Sequence, residues 1–177
     1  LAGIRATWIA DGREVGSFVY NYPAGVEGII IDPKDPNLAR QDPRDYMTGA
    51  VASVKGALAQ ARKAVKGFTA AQIVGIGVDT TGSTPLPVDK DGQPLVMQKK
   101  FAKNPNAHAW LWKDHTGHAE AAEITALAAK IRPQYLKKFG GTYSSEWFFS
   151  KVLHCLRKDP AVFSAASCFS EKPVVPV

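Results

Sequence analysis

Residues 73–89 read IVGIGVDTTGSTPLPVD, an apolar run that ends abruptly in Asp79-Thr80-Thr81-Gly82-Ser83-Thr84. The unbroken apolar character of QIVGIGVD (72–79) predicts a strand covered on both faces. Gly75 and Gly77 lie inside that run, whereas the dinucleotide fingerprint needs its glycines in the turn after the strand. Open α/β sheets bind ligands at the carboxyl ends of their strands. Gly82 would let a ligand approach the backbone, and Ser83 and Thr84 would offer donors and acceptors to a polyol. A plain polar turn, its hydroxyls capping backbone groups, accounts for the same six residues.

Upstream, residues 4–10 and 14–20 are β-prone and flank Asp11-Gly12, which predicts an antiparallel hairpin. The stretch from Asn21 to Pro43 is crowded with Pro, Asp, Asn and Gly and reads as a long loop, with one short extended piece at Ile29-Ile30-Ile31. Asp42-Pro43 opens a helix, a cap residue followed by Pro at the first helical position. Tyr46, Met47, Ala50, Val51, Val54, Leu58, Ala61 and Val65 recur at steps of three and four and predict its buried face, with Gly67 ending it. Downstream, Pro85–Asp89 and Pro94–Gln98 predict a second hairpin. A helix over 118–131 follows, with Ala121, Ile124, Leu127, Ala128 and Ile131 on one side and Pro133 as its stop. A third begins at Ser144 or Ser145, buries Phe148, Val152, Cys155 and Leu156, and ends before Pro160.

Composition narrows the class. The chain has 177 residues, 45% of them hydrophobic and 21% charged, a globular balance consistent with one domain or a large part of something bigger. It has no apolar run of about eighteen residues and no basic region followed by an apolar block at its start. It opens without Met inside a strand-like pattern, LAGIRATWIAD, which suggests truncation. Cys155 and Cys168 fit no metal or redox spacing and read as buried free thiols in a reducing cytoplasm. The net charge of +6 comes from scattered pairs such as Lys99-Lys100, Lys137-Lys138 and Arg157-Lys158, and no basic stripe argues for nucleic acid.

Three further groups could carry chemistry. Trp110-Leu111-Trp112-Lys113-Asp114-His115-Thr116 packs charges between aromatics, the pattern of a site where a ring covers a carbon chain while Lys and Asp bond to hydroxyls. Core tryptophans beside a surface ion pair would look the same. GGTYSSEWFFSK supplies a glycine turn, a serine cap and a helix bearing Glu146, Trp147 and Lys151; an ordinary cap with an aromatic patch is the plain account. His108, His115 and His118, with Glu120 and Glu123, match no established metal spacing, and no metal site is expected. The residues by themselves lead to an α/β domain with a polyol pocket.

In this order, GIGVDTTGSTPLPVD, NPNAHAWLWKDHT and GGTYSSEWFFSKVLH closely resemble the L-ribulokinase branch of the FGGY carbohydrate kinases. GIRATWIADG and QDPRDYMTGAVASVKGAL extend the resemblance, which runs to about Ser167. It implies an α/β, actin-like (ribonuclease H-like) fold with a mixed sheet and flanking helices, incomplete over 1–177. It also implies ATP-dependent phosphorylation of a ketopentose, L-ribulose to L-ribulose 5-phosphate, in arabinose breakdown. The sugar side would comprise Thr81, Gly82 and Ser83, then Lys113, Asp114 and His115, then Glu146. The family's Asp-x-Gly-Thr phosphate loop, its general-base Asp and its second domain are missing. No catalytic residue, bound ATP or Mg2+ is therefore expected in this chain alone, nor turnover by it. The alternative is a non-catalytic sugar-binding or interaction domain derived from such a kinase. The tail SEKPVVPV departs from the family. The expected partner is the sugar, without nucleic acid or membrane; a homo-oligomer is left open.

Overall fold

The computed structural model describes residues 3–171. They divide into two compact units: one from the residues up to Ile29 with Asp42–Asp79, the other from Ile30–Gln41 with the residues from Thr80 onward. The tail from Lys172 lies outside the described residues.

In the first unit, β1 (Gly3–Ala10) and β2 (Arg13–Asn21) form the expected antiparallel hairpin. Asp11 and Gly12 make its turn at φ 48° and 75°, the left-handed values that a two-residue hairpin loop demands. Helix α1 (Pro43–Ala64) packs on this hairpin, with Asp42 accepting a bond from the Arg44 amide as its cap. The buried face keeps Tyr46 and Ala61 of the predicted set but otherwise differs. It is Tyr46, Gly49, Ser53, Ala57 and Ala61, while Met47, Val51 and Val54 are exposed. Close approach is the reason: a Cβ on Gly49 would sit 2.7 Å from Ile4 Cγ2 and 3.0 Å from Tyr20 Cδ1. Small residues let the helix settle on the sheet; the larger aliphatic ones turn outward.

The strand expected over 72–79 is not formed. Residues 73–80 are irregular, Val74 is fully exposed, and Ile76 and Val78 are 78% and 79% exposed. A doubly covered strand exists only with strands beside it and helices over it. Among the described residues no strand pairs with this run, so apolar composition alone cannot hold it in a ladder.

The second unit contains β3 (Ile30–Asp32), β4 (Asp35–Gln41) and β6 (Ala109–Trp110), ordered β3-β4-β6, and a separate pair, β5 (Leu86–Val88) with β7 (Cys168–Ser170). The named ladders are all antiparallel rather than mixed. The predicted loop from Asn21 to Pro43 thus hides a hairpin. Strand β4, DPNLARQ, has poor β propensity and is held between the adjacent β3 and β6, which lies about seventy positions away. The second predicted hairpin closes its turn, Asp89 N to Gln93 O at 2.9 Å, and keeps one bridge, Val88 to Pro94, but the ladder of β5 is with β7. Leu95–Met97 form instead a short 3-10 turn that buries Leu95 and Val96 in the core with Phe101, Trp110, Cys155 and Val162.

Helix α2 (His118–Ile131) forms over the predicted range, though Leu127 and Ile131 stay exposed. Pro133 both stops it and opens a short helix, α3 (Pro133–Leu136). The third predicted helix starts later than expected, as α4 (Phe148–Lys158), and Asp159-Pro160 caps a further one, α5 (Pro160–Ala165). Cys155 is buried as expected, but Cys168 is exposed on β7. No helix among the described residues is long and apolar enough to cross a membrane.

Candidate functional site

An open cleft of ≈ 360 Å3 in the second unit is lined by Thr81, Gly82, Ser83, Trp112, Glu146 and Trp147. Each wall traces to a local device. In the 81–84 turn, Ser83 sits at φ 55°, a left-handed conformation uncommon for a residue with a side chain. Thr84 Oγ1 donates to Gly82 O (3.3 Å), and Thr84 N donates to a Glu171 carboxylate oxygen (3.2 Å). A Cβ placed on Gly82 meets nothing within 4 Å, so that backbone is open to an incoming molecule. Opposite, Trp147 is anchored edge-on to Tyr143 (centroids 5.0 Å apart) and tilted against Phe139 (5.2 Å). Trp112 is 45% exposed and presents an aromatic face.

The structure therefore brings Thr81, Gly82, Ser83 and Glu146 together. His115 stands next to this group: its Nδ1 is 2.8 Å from Ser145 Oγ and its Nε2 is 3.8 Å from Glu146 Oε1. Lys113 is exposed and outside the lining. Asp114 is elsewhere again, wholly buried in the interior. Its Oδ2 accepts from the Ala39 amide (2.7 Å) and from Arg40 Nη1, and its Oδ1 from Thr116 N (3.2 Å) and Thr116 Oγ1 (2.6 Å). The second motif reaches the cleft through Trp112 rather than through Lys113 and Asp114.

Arg40 itself is 1% exposed and lies over the Trp110 ring at 3.5 Å. Burial lowers its pKa to about 9, against smaller opposing effects of Cys155 and Asp35, so it remains a cation at neutral pH. Sequence reasoning missed this residue because its partner is far away along the chain. A lone Arg in a Pro- and Asp-rich segment carries no local sign of burial.

The histidines and glutamates of the third group are dispersed. His154 Nδ1 contacts Glu120 at 3.0 Å, Arg157 pairs with Glu120 and Glu123, and His108 Nδ1 contacts Asn104 O at 2.9 Å. Among the described residues no group of three or more His, Cys, Asp or Glu could hold a metal. A second groove of ≈ 520 Å3 runs along α2, lined mainly by small and hydroxyl-bearing residues such as Ala122, Thr125, Thr142 and Ser144.

Comparison with known proteins gives first a class and then a closer likeness. The chain matches a solved structure described as a xyloylose kinase from Brucella ovis with a TM-score of 0.70. That match covers 96% of this chain and 30% of the other at 18% identity, so the fold is one found in a sugar kinase. No family model matches the chain. In sequence it is similar to curated ribulokinases: 38% identical over 161 residues to that of Vibrio parahaemolyticus and 36% over 162 to that of Mycolicibacterium smegmatis. These matches cover 90% and 89% of this chain, and 28% of each relative. The resemblance to ribulokinases carried by the three motifs is thereby borne out over nearly the whole chain. The chain spans less than a third of the length of the relatives it matches.

Proposed function

We propose that this chain is the sugar-binding part of an ATP-dependent L-ribulokinase with an actin-like first domain, acting on L-ribulose in arabinose breakdown in the cytoplasm. The observation that carries the proposal is the convergence of Thr81, Gly82, Ser83 and Glu146 with Trp112 and Trp147 on one open cleft. Hydroxyls, an open backbone and a carboxylate suit the alternating donors and acceptors of a ketopentose, and the two indoles suit its carbon chain. The described residues contain no metal-ligating cluster. Bound MgATP would supply the phosphoryl group, and no residue of this cleft is assigned to holding it.

Calorimetric titration of the chain with L-ribulose, D-ribulose and L-xylulose tests the assignment. Saturable binding of L-ribulose, weakened by replacing Glu146 with Gln, is the expected result. Absence of binding for all three ketopentoses would refute the sugar assignment. A coupled ADP-release assay on the same chain is expected to show no sugar-dependent turnover, because phosphoryl transfer rests on positioning and charge stabilisation around the phosphates.

A further inference from the structure

Lys151 is the one cation on α4 that is wholly buried, and among the described residues its ammonium meets backbone carbonyls rather than a carboxylate. Its Nζ donates to three backbone carbonyls: Ser83 O at 2.7 Å, Leu111 O at 2.7 Å and Trp112 O at 3.2 Å. Ser83 and Trp112 both line the cleft and come from separate segments of the chain. A primary ammonium has three N–H donors and an amine only two, so this arrangement is complete only in the charged form. We propose that Lys151 is a positioning residue that ties the 81–83 turn to the Trp112 segment through its ammonium, and that losing its proton loosens the cleft. The proposal rests on the sugar-cleft reading above for its ligand, not for its geometry.

Two further observations support it. Ser83 holds its left-handed φ of 55° while its carbonyl is captured by Lys151, an outside bond that helps keep a conformation its own side chain disfavours. The groups facing Lys151 also leave it finely balanced. Burial, reinforced by the Arg40 cation on β4, pushes its pKa down to about 7, while Glu146 ahead of α4 and Glu171 beyond β7 pull upward. Arg40 is itself paired with Asp114, and Glu146 with His115. Cys155, one turn along α4, stays a neutral thiol because burial raises it to about 12.

The test uses the isotope-labelled full chain and follows the carbonyl carbons of Ser83, Leu111 and Trp112 by NMR between about pH 5.5 and 9, a range that brackets the shifted lysine. Wild type should show one shared transition near neutrality, retained in His115→Gln and abolished in Lys151→Met. L-ribulose affinity should fall about tenfold or more in Lys151→Met at low pH, and in wild type as pH rises through the same transition. Should the three carbonyls show no shared transition in wild type, or keep it in Lys151→Met, the proposal is overturned. If the transition appears but wild type binds no L-ribulose at any pH, the positioning role stands and the sugar reading falls.

Discussion

Replacing Asp114 with Ala should destabilise the second unit severely. Asp114 is fully buried opposite Arg40, which is 1% exposed, and it also receives the Ala39 and Thr116 amides and the Thr116 hydroxyl. Removing the carboxylate leaves a guanidinium buried over Trp110 without its paired carboxylate, with only the weaker influence of Asp35. Breaking a buried pair from one side costs about 3–5 kcal/mol, because the surviving charge keeps its desolvation penalty. With a slope of about 1–3 kcal/mol per M of urea, the unfolding midpoint should fall by roughly 2 M. Asp114→Asn keeps the size and part of the bonding, and should lose less. Combining Arg40→Met with Asp114→Asn removes both charges. A double-mutant cycle should then return a coupling of at least about 1 kcal/mol, well outside the scatter of independent sites. Urea titration followed by tryptophan fluorescence reports this directly, since Trp110 stacks on Arg40. A loss below about 1 kcal/mol for Asp114→Ala, typical of an exposed pair, would refute the argument. Unchanged stability with lost sugar affinity would mean that Asp114 serves the ligand instead.

Other outcomes follow from the same structure. Gly82→Phe should leave the fold intact, since nothing lies within 4 Å of a Cβ there, yet abolish L-ribulose binding by filling the cleft; titration and circular dichroism separate the two effects. Asp42→Ala removes the α1 cap and should cost about 1 kcal/mol in thermal unfolding. Val74, Ile76 and Val78 expose an apolar run, so the isolated chain should self-associate, and Ile76→Lys with Val78→Lys should restore a monomer in sedimentation. Burial disfavours ionised Asp159, but bonds from Asn104, Val162 N and Asn106 outweigh it and hold its pKa below the ordinary carboxylate value. Its stabilisation is therefore present above that ordinary value and lost as pH falls through the depressed one. Melting curves on the acid side should drop for wild type and flatten for Asp159→Asn.

What the sequence determined by itself is what neighbouring residues decide. Asp11-Gly12 supplies the positive φ values of a hairpin turn, Asp42-Pro43 starts α1, Pro160 marks the end of α4, and the extent of α2 is written within fourteen residues. The cleft was partly legible too: the hydroxyls of 81–84 stand out in the sequence, and the family resemblance pointed to Thr81, Gly82, Ser83 and Glu146, which line one cleft. The tertiary structure decided the rest. Strand β4 needs the distant β6 as well as its neighbour β3, β5 forms its ladder with β7 and keeps only one bridge, Val88 to Pro94, to the adjacent segment, and among the described residues the apolar run at 73–78 pairs with no strand despite its composition. Likewise Asp114 is committed to Arg40, 74 positions away, and Lys151 to carbonyls up to 68 positions away. Local turns and caps are stabilised by bonds between near neighbours. Sheet pairing and charge burial depend on which distant groups arrive, and only the folded chain brings them together.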